Sequence, residues 1–267
     1  GQNPWHCWIS DKKGRTIHSL FKQLKLPKDK FEKLNKLIER TKYRDNSYTK
    51  DDIKETLQLP EEYKPLWIEK NTPDYRNTIH YLKNRGITIF DIIRYRIGYA
   101  ESGAYSGKII IPSYDSNGQL NYFVSRAFYK NDPYKHKNPK VSKDIIGFDM
   151  LINWNEPIIL CEGAFDAITI KRNAIPLFGK MINPKLRIKI IEEGVKDIYI
   201  CLDQDAISNA KRIAKTFMDE GINVHLVKLN EQDPNDLGYK KITEKIQDTY
   251  HFSFEEMMKM EINSLWK

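Results

Sequence analysis

The sequence predicts an α/β protein: a mostly parallel sheet flanked by helices, preceded by a basic, mixed α+β region. Three observations carry this reading. From residue 157 onward, short apolar runs alternate with segments long enough for helices, the pattern of parallel strands joined by helical crossovers. Two of those runs, 157–161 and 197–202, are apolar without alternation, as strands covered on both faces are. Upstream, Asn117-Gly118 separates the runs 108–112 and 120–126, and this dipeptide between apolar runs is the strongest short-range sign of a hairpin.

Taken in order, residues up to about 24 hold a short strand-and-turn pattern around Cys7, Gly14 and Ile17. A lysine-rich helix is predicted over 28–42, because Phe31, Leu34, Leu37 and Ile38 recur at helical spacing. Residues 43–49 are polar and read as a linker. Helices follow near 74–84 and 89–94, then the hairpin. In the C-terminal half, strands are expected near 157–161, 174–178, 197–202 and 222–229, with helices starting near Ala164, Pro184 and Ala206. Gly194 and Gly221 close the second and third of these helices.

At 267 residues the chain is long enough for two modest domains, each with its own core. Its 44 Lys+Arg against 36 Asp+Glu leave a net charge of +8, an excess that attracts polyanions, nucleic acid foremost. No apolar stretch approaches the roughly 20 residues a membrane span needs, so no membrane role is expected. Cys7, Cys161 and Cys201 cannot build a disulfide framework, and two lie in predicted buried strands, which fits a reducing cytoplasm. The chain opens on Gly1 and not Met, so it reads as a piece of a longer protein whose targeting segments lie outside it.

The chemistry gathers at strand ends. Glu162 follows the first parallel strand, Asp203-Gln204-Asp205 follows the third, and Asp233-Pro234-Asn235-Asp236 follows the last. In an open α/β sheet these ends share the ligand-binding edge. Clustered carboxylates repel unless a cation sits among them, and hard oxygen ligands suit Mg²⁺ or Mn²⁺. Gly163 fits a tight strand-to-helix turn, and Asp166 falls in the first turn of the next helix, where a carboxylate complements the helix dipole. Any one of these acids alone reads as a cap or a solvated turn residue; three converging do not.

The order apolar strand, Glu162-Gly163-x-x-Asp166-Ala167, then about 40 residues, apolar strand and Asp203-x-Asp205, resembles the TOPRIM domain of bacterial-type primases, topoisomerases and some nucleases. The segment 81–87 followed by 95–100 resembles the start of the polymerase core of bacterial and phage DNA primases. The runs 108–112, 125–127 and 135–139 continue in that family's order, so the likeness covers roughly residues 75–240. It implies a TOPRIM domain at 153–238 behind a basic N-terminal subdomain at 59–152. It also implies a zinc-ribbon-like remnant at 1–25, a helical linker at 26–58 and a C-terminal helical segment at 239–267. The implied activity is synthesis of short RNA primers from NTPs on single-stranded DNA, with Mg²⁺ or Mn²⁺. By the same resemblance Glu162, Asp203 and Asp205 are catalytic metal ligands with Asp233 as a further one, and Lys108, Arg126, Lys135, Asn138 and Lys140 hold nucleotide or template. The implied partner is a replicative helicase, in trans or on a further segment, in the cytoplasm of a cell or of a phage host.

Physical reasoning runs in parallel. Nucleotidyl transfer needs the triphosphate neutralised and the attacking hydroxyl aligned, which metals and Lys/Arg clamps provide. Lysines interleaved with Phe128, Tyr129 and Tyr134 suit a single-stranded template, with bases on rings and phosphates on lysines. Three departures stand out. Asn235 replaces an acid where many primases carry Asp-Pro-Asp, the spacing from Gly98-Tyr99-Ala100 to Lys108 is short and phage-like, and Cys7 is followed by Ser10 where a zinc ribbon needs a second thiolate, so zinc is not expected. The stretches 103–108 and 179–181 fail as phosphate loops, because neither has the Ser or Thr that binds magnesium; no helicase motor is encoded in this chain. The rival readings are a metal-dependent nuclease using the same acids and a non-catalytic single-strand binding module.

Overall fold

The computed structural model describes residues 57–229 and 233–249, together with 5–7, 12–14, 20–21, 23–27, 29–30, 32–33, 252 and 255. The chain divides into two units, Gly1–Glu55 and Thr56–Lys267. In the first, strands β1 (Trp5–Cys7) and β2 (Lys12–Gly14) pair antiparallel. The side chains of His6 and Cys7, and all of Ser10 and His18, lie outside the described residues, as does most of the helix predicted over 28–42.

The second unit is built on two sheets. The first is antiparallel, in the order β3 (Lys64–Pro65), β4 (Gly98–Ala100), β5 (Lys108–Tyr114), β6 (Leu120–Ala127). Helices α1 (Pro73–Asn84) and α2 (Ile89–Arg94) lie between β3 and β4 in sequence. Thr72 caps α1 through the Tyr75 N–H at 3.3 Å, with Pro73 at the first helical position, where its missing N–H costs nothing. A reciprocal capping box between Thr88 and Asp91 starts α2. The β5–β6 turn has Gly118 at φ 76°, a left-handed conformation that favours glycine and fixes the hairpin register.

The second sheet is parallel throughout, in the order β10 (Asn223–Leu226), β9 (Asp197–Cys201), β7 (Ile158–Cys161), β8 (Ala174–Pro176). Helices α3 (Ala164–Ile170), α4 (Pro184–Glu192) and α5 (Ile207–Met218) connect its strands, and α6 (Pro234–Gln247) follows β10. Strands β7 and β8 are buried on both faces, and β9 and β10 mainly on one. Ile158, Leu160, Ile198 and Ile200 pack with Leu186, Ile190, Ile213 and Phe217, while Ile159, Cys161 and Cys201 face the opposite side.

That opposite side joins the sheets. Ile159, Cys161, Ala164, Ile168 and Ile242 share one buried cluster with Leu82, Ile92, Tyr95, Ile109 and Phe148 of the antiparallel region. Buried apolar surface stabilises by about 25 cal/mol per Å², so this shared cluster holds the two regions together. The ion pair from Lys171, at the end of α3, to Asp91 of α2 (2.7 Å) adds a polar tie across the same seam. Among the described residues no helix is long and apolar enough to cross a membrane.

Candidate metal centre and basic strip

Glu162 is delivered by the end of β7 and Asp203 by the end of β9, adjacent strands in parallel register. A single turn of 3-10 helix, Gln204–Ala206, then carries Asp205. As a result Glu162, Asp203 and Asp205 each bring a carboxylate oxygen to within 4.8 Å of the others. The Asp203 N–H donates to Glu162 Oε1 at 3.3 Å. Burial raises the Glu162 carboxyl above its ordinary range, and the neighbouring Asp203 charge raises it further. Asp203 is raised by burial, then by Asp233 and Asp205. Its Oδ1 is buried with no hydrogen-bond partner. A buried carboxylate oxygen left bare is costly, and a cation among three hard oxygens removes that cost, so this donor set fits a divalent ion of the Mg²⁺ type.

Asp166 adds a second layer. Its carboxylate accepts the Gly163 N–H at 3.0 Å, it is 8% exposed, and its pKa is pushed up to about 7, first by burial and then by Asp233. Gly163 stands in the strand-to-helix turn, as the N-cap of α3. Its φ of −121° suits any residue, but a Cβ there would stand 3.1 Å from Asp166 Oδ2, so the glycine leaves room for that carboxylate.

Asp233 stands outside the three-oxygen group. It caps α6, accepting the Asp236 N–H at 2.6 Å, and contributes its charge to Asp166 and Asp203. Asn235 points elsewhere again. It is 6% exposed, and its amide is engaged by Arg85 and Thr169, not by the acids. Lys180, on the loop after β8, pairs with Asp205, and that carboxylate, with Glu162 and Asp203 behind it, raises the lysine's pKa.

The basic residues divide into two kinds. Lys108 is 4% exposed and its ammonium pairs with Asp132, so it pins the loop after β6 instead of facing outward. Tyr129 ties the same loop to α1, donating to Asp74 and accepting from Asn77 at 3.1 Å. The chain then returns along β6 through an Arg126–His136 bridge, with the Ala127 N–H donating to the Lys135 carbonyl at 2.9 Å. Arg126 contacts the His136 ring, and Asn138 Oδ1 accepts the Ser125 N–H at 3.0 Å. Lys135, Lys137 and Lys140 are exposed along this returning strand. Burial lowers the His136 pKa, and the charges of Arg126, Lys135 and Arg85 lower it further. Arg85 also touches Asn235, which puts the basic strip beside the acidic loops.

Sequence reasoning assigned no role to Arg85 or Lys180. In the sequence Arg85 belongs to a segment that carries only a family likeness, and Lys180 to a stretch that fails as a phosphate loop. Neither position has a local signal for this site, because the partner that ties each to the acidic loops, Asn235 for Arg85 and Asp205 for Lys180, lies far away in the chain.

The family model for the Toprim domain matches residues 157–244. An uncharacterized protein of Mycoplasma genitalium is 26% identical over 178 residues, covering 61% of this chain and 80% of that protein. A DNA primase of Legionella pneumophila is 21% identical over 238 residues, 68% of this chain and 41% of the primase. Among solved structures, the zinc-binding and RNA polymerase domains of the Aquifex aeolicus primase superpose with a TM-score of 0.59 at 20% identity, over 71% of this chain and 60% of theirs. The chain thus spans less than two thirds of either primase. Residues 157–244 are a Toprim domain, carried in a chain that has the fold of a bacterial primase catalytic core.

Proposed function

We propose that this chain synthesises short RNA primers on single-stranded DNA by metal-dependent nucleotidyl transfer. The observation that carries the reading is the trio Glu162, Asp203 and Asp205, with a bare buried oxygen on Asp203, set beside a strip of exposed lysines on a primase fold. In the proposed reaction the 3′-hydroxyl oxygen bonds to the α-phosphorus of the incoming NTP, the bond to pyrophosphate breaks, and the hydroxyl proton passes to solvent. Glu162, Asp203 and Asp205 would hold Mg²⁺ or Mn²⁺, whose bound charge neutralises the triphosphate and lowers the hydroxyl's pKa. Asp233 supports this site as a source of negative charge and as the cap of α6.

Lys135 and Lys140 are exposed and follow Tyr134, itself 74% exposed, a combination suited to phosphates and an unstacked base. Arg126 extends that strip. Lys108 and Asn138 act from behind it, the first fixing the loop through Asp132 and the second through Ser125. A replicative helicase, which would expose the single-stranded template, is the proposed protein partner.

The direct test is incorporation of labelled NTPs on random single-stranded DNA with Mg²⁺ or Mn²⁺. Short, template-dependent RNA is the expected product. Cleavage of the DNA without NTPs would replace this reading with a nuclease, and binding of DNA with neither reaction would replace it with a non-catalytic module.

A further inference from the structure

The loop bearing Asp233 is not held in place by the helix it begins. Gly238, at φ 75° and ψ 165°, interrupts α6 after its first turn, so the position of that turn is not inherited from the body of the helix. Something else must fix it. Asn235 lies within this first turn and its side chain reaches two other elements. Oδ1 accepts from the Arg85 guanidinium, and Nδ2 donates to the Arg85 carbonyl at 3.2 Å and to Thr169 Oγ1 at 2.7 Å.

Both anchors are themselves rigid. The Arg85 guanidinium lies over the rings of Tyr81 and Phe165, 5.2 and 5.0 Å from their centres, and its Nε donates to the Tyr81 hydroxyl at 2.9 Å. Thr169 is 4% exposed in the middle of the packed face of α3. An amide suits this junction because it accepts from a guanidinium and donates to a carbonyl at once, and a carboxylate has no hydrogen to donate.

We propose that Asn235 is a positioning residue of the metal centre. It holds the Asp233 loop and the Asp166 helix against Arg85 of the antiparallel region, and so sets how closely Asp166 and Asp233 stand to Asp203. This rests on reading the acidic cluster as a divalent cation site. It also explains the missing acid of the third loop: the neutral side chain serves the architecture around the ligands, not the coordination itself.

The test measures Mn²⁺ binding directly, by the electron paramagnetic resonance of free Mn²⁺, on the full chain well below its melting temperature. Asn235→Ala should weaken binding by about 10-fold or more, the usual cost of losing a group that orients ligands. Asn235→Asp, which keeps the bond from Arg85, should recover part of that loss. A lower melting temperature with unchanged Mn²⁺ affinity in Asn235→Ala would make the residue merely structural and overturn the inference. Should Asn235→Ala fail to fold, Thr169→Val removes one anchor at equal volume and should weaken Mn²⁺ a few-fold; unchanged affinity there overturns the inference equally. Wild-type protein that binds no Mn²⁺ would instead sink the cation-site reading on which the inference depends.

Discussion

The parallel sheet's acidic edge and the antiparallel sheet's basic strip handle charge in opposite ways. At the edge, like charges are forced together: Glu162 and Asp203 are both raised by burial and by acidic neighbours, and one oxygen of Asp203 has no partner. Along the strip, the buried Lys108 is paired with Asp132, while Lys135 and Lys140 are exposed and Lys137 donates to the Ala104 carbonyl at 2.6 Å. A scaffold has no reason to concentrate charge of one sign, whereas a binding site for an ion of the other sign must. The difference separates the residues that await a ligand from those that hold the fold.

The largest expected effect follows at the edge. Asp203→Asn should reduce incorporation by about 10²-fold or more, the scale of losing a principal group that stabilises transition-state charge. The same change should leave the metal-free protein as stable or more so, because it removes a repelled carboxylate. Thermal melting with and without Mn²⁺, read beside the incorporation assay, checks both halves. A variant that melts lower without metal and still incorporates would make the acidic edge a scaffold like any other.

The strip divides by the same logic, with smaller effects. Lys135→Ala should weaken single-stranded DNA binding a few-fold and make the slope of log K against log salt shallower by about 0.7, the release of roughly one phosphate counterion. Lys108→Ala should leave that slope unchanged and lower the unfolding midpoint, because it strands Asp132 and releases the loop that Lys108 holds. If the two variants exchange phenotypes, the buried lysine is the phosphate contact and the comparison between the regions fails.

Much of this was legible in the sequence because it is local. Parallel strands buried on both faces are unbroken apolar runs, and the predicted 197–202 and 174–178 fall on β9 and β8 to within two residues. The predicted helix starts at Ala164 and Pro184 hold, while the one at Ala206 is displaced by one residue because a 3-10 turn presents Asp205 first. Strand β3, by contrast, is two residues long and contains Pro65, too short and too irregular for any periodicity to register. The direction of long side chains was also illegible. Lys108 and Lys135 are equivalent as residue types, and only tertiary packing puts one against Asp132 and leaves the other in water. For Asn235 the sequence gives the missing charge but not Arg85, 150 residues away in the chain.

A pH series sharpens the account of the edge. Asp166 has its pKa raised from an ordinary 3.8 to about 7, so the folded state holds a proton that the unfolded chain has already released. Its contribution to stability is therefore full below about pH 4, declines as pH rises, and is gone above about pH 7. For the metal-free protein this predicts a stability slope of up to about −1.4 kcal/mol per pH unit from this group between those limits. Asp166→Asn should flatten that part of the profile in denaturant titrations. An unchanged slope would mean that Asp166 ionises freely, and that burial does not crowd the acids.

The smallest effect concerns Lys180, whose ammonium sits on Asp205 at the mouth of the cluster. It is 43% exposed and Asp205 is 70% exposed, so water screens the pair and its own contribution to stability is slight. Its consequence lies in competition. A divalent cation recruiting Asp205 must displace an ammonium already there, so Lys180→Met should tighten Mn²⁺ binding a few-fold, with the gain fading as salt screens the pair. Loss of Mn²⁺ affinity in Lys180→Met would reverse the argument. Lys180 would then belong with the groups that hold the site together, and the acidic edge would prove to have a scaffold of its own.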